Sequence, residues 1–104
     1  MIKKMNDTDF KEKISKEEVA YINYSASWCA PCKRQLPLLE KLSNSEEFKN
    51  INIYYCDVDE NINTSSDAGI RGVPTIVKYQ FGNESKRKVG GSSEQDLKEF
   101  FLKD

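Results

Sequence analysis

The chain has 104 residues, 38% of them apolar and 32% charged, with a formal net charge of −1. That length buries one core, so a single domain over residues 1–104 is expected. Near-neutral charge gives no electrostatic case for nucleic-acid or membrane binding.

Three cysteines and no histidine narrow the chemistry further. Without histidine there is no Cys-His nucleophilic catalysis and no His-containing metal site. Three thiols fall one short of a four-thiolate zinc site within one chain. An odd count also speaks against a structural disulfide framework. The start Met1-Ile2-Lys3-Lys4-Met5-Asn6-Asp7 has two lysines but no apolar run behind them, so it does not read as a secretory signal. No apolar stretch approaches a membrane span. A cytoplasmic monomer is the expectation.

In chain order, Asn6-Asp7-Thr8 supplies capping residues ahead of Phe10 and Ile14, predicting a short helix over about 7–15. Val19 to Tyr24 is short, apolar and rich in β-formers, as in a strand buried on both faces. A helix is expected from the cysteines at 29 and 32 to about Ser43, with Cys32, Leu36, Leu39 and Ser43 as its inner stripe and a kink at Pro37. Ile51 to Asp59 is the next strand. Residues 60–68 read as a loose helical connection closed by Gly69. Thr75 to Phe81 is a strand, Gly82-Asn83 its turn, and Lys86 to Val89 a charged edge strand. Ser92 and Gln95 suggest a capping box before a terminal helix whose core face is Leu97, Phe100 and Phe101. This order predicts a mixed central sheet with helices on both faces, an α/β architecture.

The chemistry concentrates in Trp28-Cys29-Ala30-Pro31-Cys32. Two cysteines three apart close a small disulfide across a first helical turn, and Pro31 suits that turn because its missing N–H would be unpaired there anyway. A bare C-x-x-C is equally a metal half-site; the flanking Trp28 and the intervening Pro31 favour the redox pair. Cys29 would lie at the helix N-terminus, where free N–H groups and the macrodipole favour its thiolate. Lowering a thiol pKa from about 8.5 toward neutrality raises the reactive fraction at pH 7 from a few per cent toward half. Cys29 is therefore expected to be the nucleophile and Cys32, one turn later, the resolving thiol.

These residues resemble the active-site signature of the thioredoxin family, Trp-Cys-Gly-Pro-Cys-Lys, with Lys33 completing the match and Ala30 in place of glycine. Pro37 resembles the proline of the family's active-site helix. Gly69 to Thr75 resembles its cis-proline segment, Val89-Gly90 the far side of its substrate groove, and Gln95 to Phe100 its last helix. The resemblance implies the thioredoxin fold, a central mixed sheet of four or five strands flanked by four helices. On spacing alone Pro74 reads as an ordinary trans strand-starter; the resemblance implies a cis Val73–Pro74 bond facing the cysteines. Trp28, Ala30, Pro31, Val73, Pro74 and Gly90 would form an apolar surface for substrate proteins, with the Val73 backbone free to pair with an extended segment.

The implied activity is protein-disulfide reduction with no cofactor beyond the Cys29–Cys32 pair. A thioredoxin reductase would supply electrons, and disulfide-bearing partners such as ribonucleotide reductase, peroxiredoxin or methionine sulfoxide reductase would accept them. Two departures stand out. The family's buried aspartate falls at Asn23, and the lysine that often pairs with it falls at Tyr55, so both buried charges are absent together. Asp57 or Asp59 is a candidate substitute base, although strand-end surface positions suit both. Cys56 reads as a buried, inert small hydrophobe. Other readings are a specialised reductase of exported proteins, which the Ala-Pro dipeptide allows, a redox-independent binding subunit, and a metal or iron–sulfur site shared by two chains.

Overall fold

The computed structural model describes residues 2–103; Met1 and Asp104, the ends of the expected 1–104 range, lie outside them. Five strands form one sheet in the order β1-β3-β2-β4-β5, where β1 is Ile2–Lys4, β2 Ala20–Ser25, β3 Ile53–Asp57, β4 Thr75–Gln80 and β5 Asn83–Val89. The pairs β1–β3 and β2–β3 are parallel; β2–β4 and β4–β5 are antiparallel. Helices α1 (Asp7–Glu12), α2 (Ala30–Ser43), α3 (Ile62–Asp67) and α4 (Glu94–Leu102) flank it.

Every residue of β2 is buried. Its alternate residues divide the core. Ala20, Ile22 and Tyr24 pack with Tyr54, Cys56, Val77 and Tyr79, and Phe10 of α1 packs against them. Tyr21 points the other way, into Leu39, Leu42, Phe48, Ile53, Ile76, Leu97 and Phe101 below α2 and α4. Helix α1 starts as its capping residues predict: Asn6 Oδ1 accepts from the Thr8 and Asp9 amides, and Asp9 Oδ2 accepts from the Asn6 amide. Asp7 crosses to α3, accepting from the Thr64 amide and hydroxyl at 2.9 and 2.7 Å, bonds that lower its pKa.

Several local expectations shift. The edge strand β1 carries no alternating pattern of its own and is recruited by β3, with Ile2 opposite Ile53. The inner stripe of α2 is Cys32, Gln35, Leu39, Leu42 and Ser43, and Leu36 is only half-buried. Both rows obey helical spacing; the angle at which α2 lies on the sheet selects between them. β3 is two residues shorter at each end than expected, and β5 starts earlier. Ser93, not Ser92, caps α4, its Oγ accepting from the Asp96 amide at 3.2 Å.

The β4–β5 turn is Phe81-Gly82 rather than Gly82-Asn83, because Gln80 pairs with Asn83. Both turn residues have positive φ, +48° and +81°, as a two-residue hairpin with right-twisted strands demands. Phe81 is held there by its amide, which donates to Glu17 O at 3.0 Å. An added Cβ at Gly82 would lie 2.9 Å from Ser15 Cβ. Gly82→Ala is therefore expected to lower stability by about 1–2 kcal/mol from the backbone alone, with a further loss from the Ser15 contact. Urea denaturation checks this, and an unchanged midpoint would contradict it.

Candidate active site

The sheet and α2 bring the two sequence-predicted cysteines together as a disulfide, Cα atoms 5.3 Å apart. Cys29 is the N-cap of α2, in extended backbone, with Pro31 at the second helical position. Its Sγ accepts from the Cys32 amide at 3.2 Å, and its carbonyl accepts from the Lys33 amide at 3.1 Å. The Lys33 side chain is exposed. In a reduced site that N–H and the helix terminus favour negative charge on Cys29. The cysteines are equally covered, each 4% exposed, packed with Ala26 and against Val58 and Val73. Exposure therefore does not distinguish the expected nucleophile from the resolving sulfur in the disulfide state; the Cys32 amide, which addresses Cys29 Sγ, does.

Across from the sulfurs runs the 73–74 segment, and the Val73–Pro74 peptide is cis. Val73 O lies 3.6 Å from Cys29 Sγ. The segment is anchored on both sides: Thr75 Oγ1 donates to Gly72 O at 2.7 Å, and the Gly90 amide donates to Pro74 O at 2.8 Å. Gly90 adopts φ +95°, a conformation open to glycine without strain. Trp28 is 69% exposed and Ala30 is exposed, whereas Pro31, Val73 and Gly90 are half-buried and Pro74 is buried. Of the residues expected on the contact surface, Ala30 and Pro31 lie between the cysteines in the chain and the Val73 carbonyl stands beside Cys29 Sγ.

The indole Nε1 of Trp28 donates to Asp59 Oδ2 at 2.8 Å, a contact that sequence spacing does not reveal. Asp57 Oδ1 accepts from the Asp59 and Glu60 amides, closing the turn after β3. Both candidate substitute bases are thus occupied in that turn and on Trp28. Asp59→Ala is expected to free the single tryptophan, lowering its fluorescence anisotropy and costing under about 1 kcal/mol at so exposed a site. An unchanged anisotropy would show that the hydrogen bond does not restrain the ring.

Asn23 is 2% exposed and lies opposite Tyr55 on β3 and Ile76 on β4. It shares the α2 side of the sheet with Tyr21, and its Oδ1 has no partner among the described residues. The registration of Asn23 against Tyr55 is the pairing the sequence suggests for the two missing charges. Cys56 is fully buried on the opposite face, its thiol pKa pushed up to about 12 by burial, then by the charges of Asp7 and Asp57. Among the described residues no group of three or more His, Cys, Asp or Glu could hold a metal ion, and no helix is long and apolar enough to cross a membrane.

A disulfide at a helix N-terminus, facing a cis-proline on a mixed five-stranded sheet, defines a thiol–disulfide oxidoreductase. The thioredoxin family model matches residues 1–103, and the chain belongs to the thioredoxin family. It is 37% identical over 93 residues to a thioredoxin of Aspergillus fumigatus, covering 88% of this chain and 84% of that one. It is 28% identical over 104 residues to the thioredoxin of Rickettsia prowazekii, covering 99% and 98%. The crystal structure of Malassezia sympodialis thioredoxin superposes with a TM-score of 0.89 at 28% identity, over 98% of this chain and 89% of that one.

Proposed function

We propose that this chain is a single-domain protein-disulfide reductase in which Cys29 attacks and Cys32 resolves. The observation that carries the assignment is the Cys32 amide donating to Cys29 Sγ at the start of α2. The Cys29 thiolate attacks one sulfur of a substrate disulfide. A Cys29–substrate bond forms, the substrate S–S bond breaks, and the departing thiolate takes a proton. Cys32, once deprotonated, then attacks Cys29 Sγ. The Cys29–Cys32 bond forms and the second substrate sulfur leaves as a thiol. The substrate gains two electrons and two protons; the protein's dithiol loses them.

Substrate segments dock on Trp28, Ala30, Pro31, Val73 and Gly90, and pair with the Val73 backbone beside Pro74. Lys33 supports the first turn of α2. Electrons come from a thioredoxin reductase and pass to disulfides of enzymes such as ribonucleotide reductase, peroxiredoxin or methionine sulfoxide reductase. The free thiol of Cys56 suits a reducing compartment, and the reading assigns the protein to the cytoplasm as a monomer. Asn23, whose Oδ1 has no partner among the described residues, is available to hold a water or the resolving thiol but accepts no proton, so the resolving step lacks the titration a buried acid would add.

Insulin reduction driven by NADPH and a thioredoxin reductase tests the assignment, together with the equilibrium potential against glutathione. Turnover with a potential near about −270 mV is expected, and a potential near about −120 mV would mark an oxidant instead. The pH–rate profile should show the Cys29 thiol without a buried carboxylate; a profile requiring one would overturn the role given to Asn23.

A further inference from the structure

The seating of α2 on the sheet buries two polar side chains on its inner stripe, Gln35 and Ser43. Gln35 follows Cys32 by three residues and precedes Leu39 by four, and it is 2% exposed. Neither its Nε2 nor its Oε1 has a partner among the described residues, and the same holds for Ser92 Oγ. Ser43, the other polar residue of that stripe, donates to Glu40 O and raises no such question. A buried polar group left unpaired costs roughly 1–3 kcal/mol, so these two call for an explanation.

Gln35 and Ser92 line one cleft of about 530 Å³, together with Pro31, Arg34, Leu38 and Gly91. Pro31 lies between the two cysteines, and a Cβ built at Gly91 would stand 3.5 Å from Pro31 Cβ. The cleft therefore adjoins a residue between the cysteines, although neither cysteine lines it. It shares no residue with the hollow between Trp28, Ile70 and Val73. Gln35 brings a donor and an acceptor on one planar group, and Ser92 a hydroxyl that serves as either. The group that complements such a floor is another amide. Gln35 lines the cleft while its carboxamide atoms are covered, and because its terminal torsion is soft the amide can turn to meet an entering group.

We propose that this cleft is a subsite of the disulfide-exchange site that takes an amide group of the substrate polypeptide, with Gln35 and Ser92 as its hydrogen-bonding floor. The proposal rests on the reductase reading and adds a substrate preference to it. The amide comes either from an Asn or Gln side chain near the target cysteine or from the substrate backbone.

The test uses the full chain carrying Cys32→Ser, which stops at the mixed disulfide. Cysteine peptides activated with thionitrobenzoate are offered in pairs. The Cys29–peptide bond forms, thionitrobenzoate leaves as a coloured thiolate, and mass spectrometry counts the trapped products. Peptides with Gln or Leu flanking the cysteine report a side-chain amide; a peptide and its ester analogue at the flanking bond report the backbone. A preference of about tenfold for the amide member of one pair is expected, and it should fall to about unity with Gln35→Leu or Ser92→Ala. The Gln35 side-chain amide signals should also shift in the NMR spectrum of the trapped complex, and the dispersion of the same spectrum checks that each variant is folded. Equal trapping in both pairs with unmoved Gln35 signals would overturn the subsite, as when Gln35 and Ser92 merely pair with each other. Failure of Cys29 to trap any peptide would overturn the reductase reading itself.

Discussion

Replacing Cys29 with serine is expected to abolish disulfide reduction, with a loss on the order of 10³-fold or more. A serine hydroxyl is not ionised near neutrality and cannot form the S–S bond on which exchange depends. The N-cap geometry should survive, since a serine oxygen at Cys29 accepts the Cys32 amide as the sulfur does. Cys32→Ser separates the two steps. Attack by Cys29 continues, turnover stops, and a Cys29 mixed disulfide accumulates, visible as a mass increase that dithiothreitol reverses. Insulin turbidity and intact-protein mass measure both variants. A function that survives Cys29→Ser would identify the chain as a redox-independent binding subunit, and accumulation on Cys32 instead of Cys29 would reverse the assigned roles.

Asn23→Asp is expected to destabilise the protein by about 3–5 kcal/mol at neutral to alkaline pH, the usual penalty for an unpartnered buried charge. Asn23 is 2% exposed, and its neighbours across the ladder, Tyr55 and Ile76, offer no cation. Burial would raise the new carboxyl above its unfolded value of about 3.9. Between those two values the folded state holds the extra proton, so stability falls as pH rises and levels off above the folded pKa. Below about pH 4 the variant should approach the wild type. Urea denaturation across pH reads the slope directly. The same variant should gain a titration in its pH–rate profile. A variant equally stable at pH 4 and pH 8 would show that the site already contains a compensating positive charge.

The placement of the disulfide was legible from Trp28 to Lys33 because everything needed is local. A cysteine spacing of three, a proline in the first turn and an apolar row behind it specify a helix start with a thiol on it. β2 and β4 were legible as apolar, β-rich segments, and α1 through its Asn6 cap. β1 was not, because Ile2–Lys4 has no amphipathic period and becomes a strand only by pairing with β3. The hairpin turn moved by one residue because Glu17, distant in sequence, fixes the Phe81 amide. On α2, Gln35 and Leu36 satisfy the helical period equally well, and only the seating of the helix on the sheet buries Gln35.

The sequence by itself therefore determined the chemistry of this protein: a dithiol at a helix terminus, without histidine and without a buried acid at position 23. Tertiary structure decided what surrounds that dithiol. It brought Val73 and cis-Pro74 to the sulfurs across 44 residues of chain, tied Trp28 to Asp59, and set Gln35 and Ser92 on the lining of one cleft. Backbone propensity and spacing act within a few residues, whereas these contacts depend on how strands register and helices seat against a shared core.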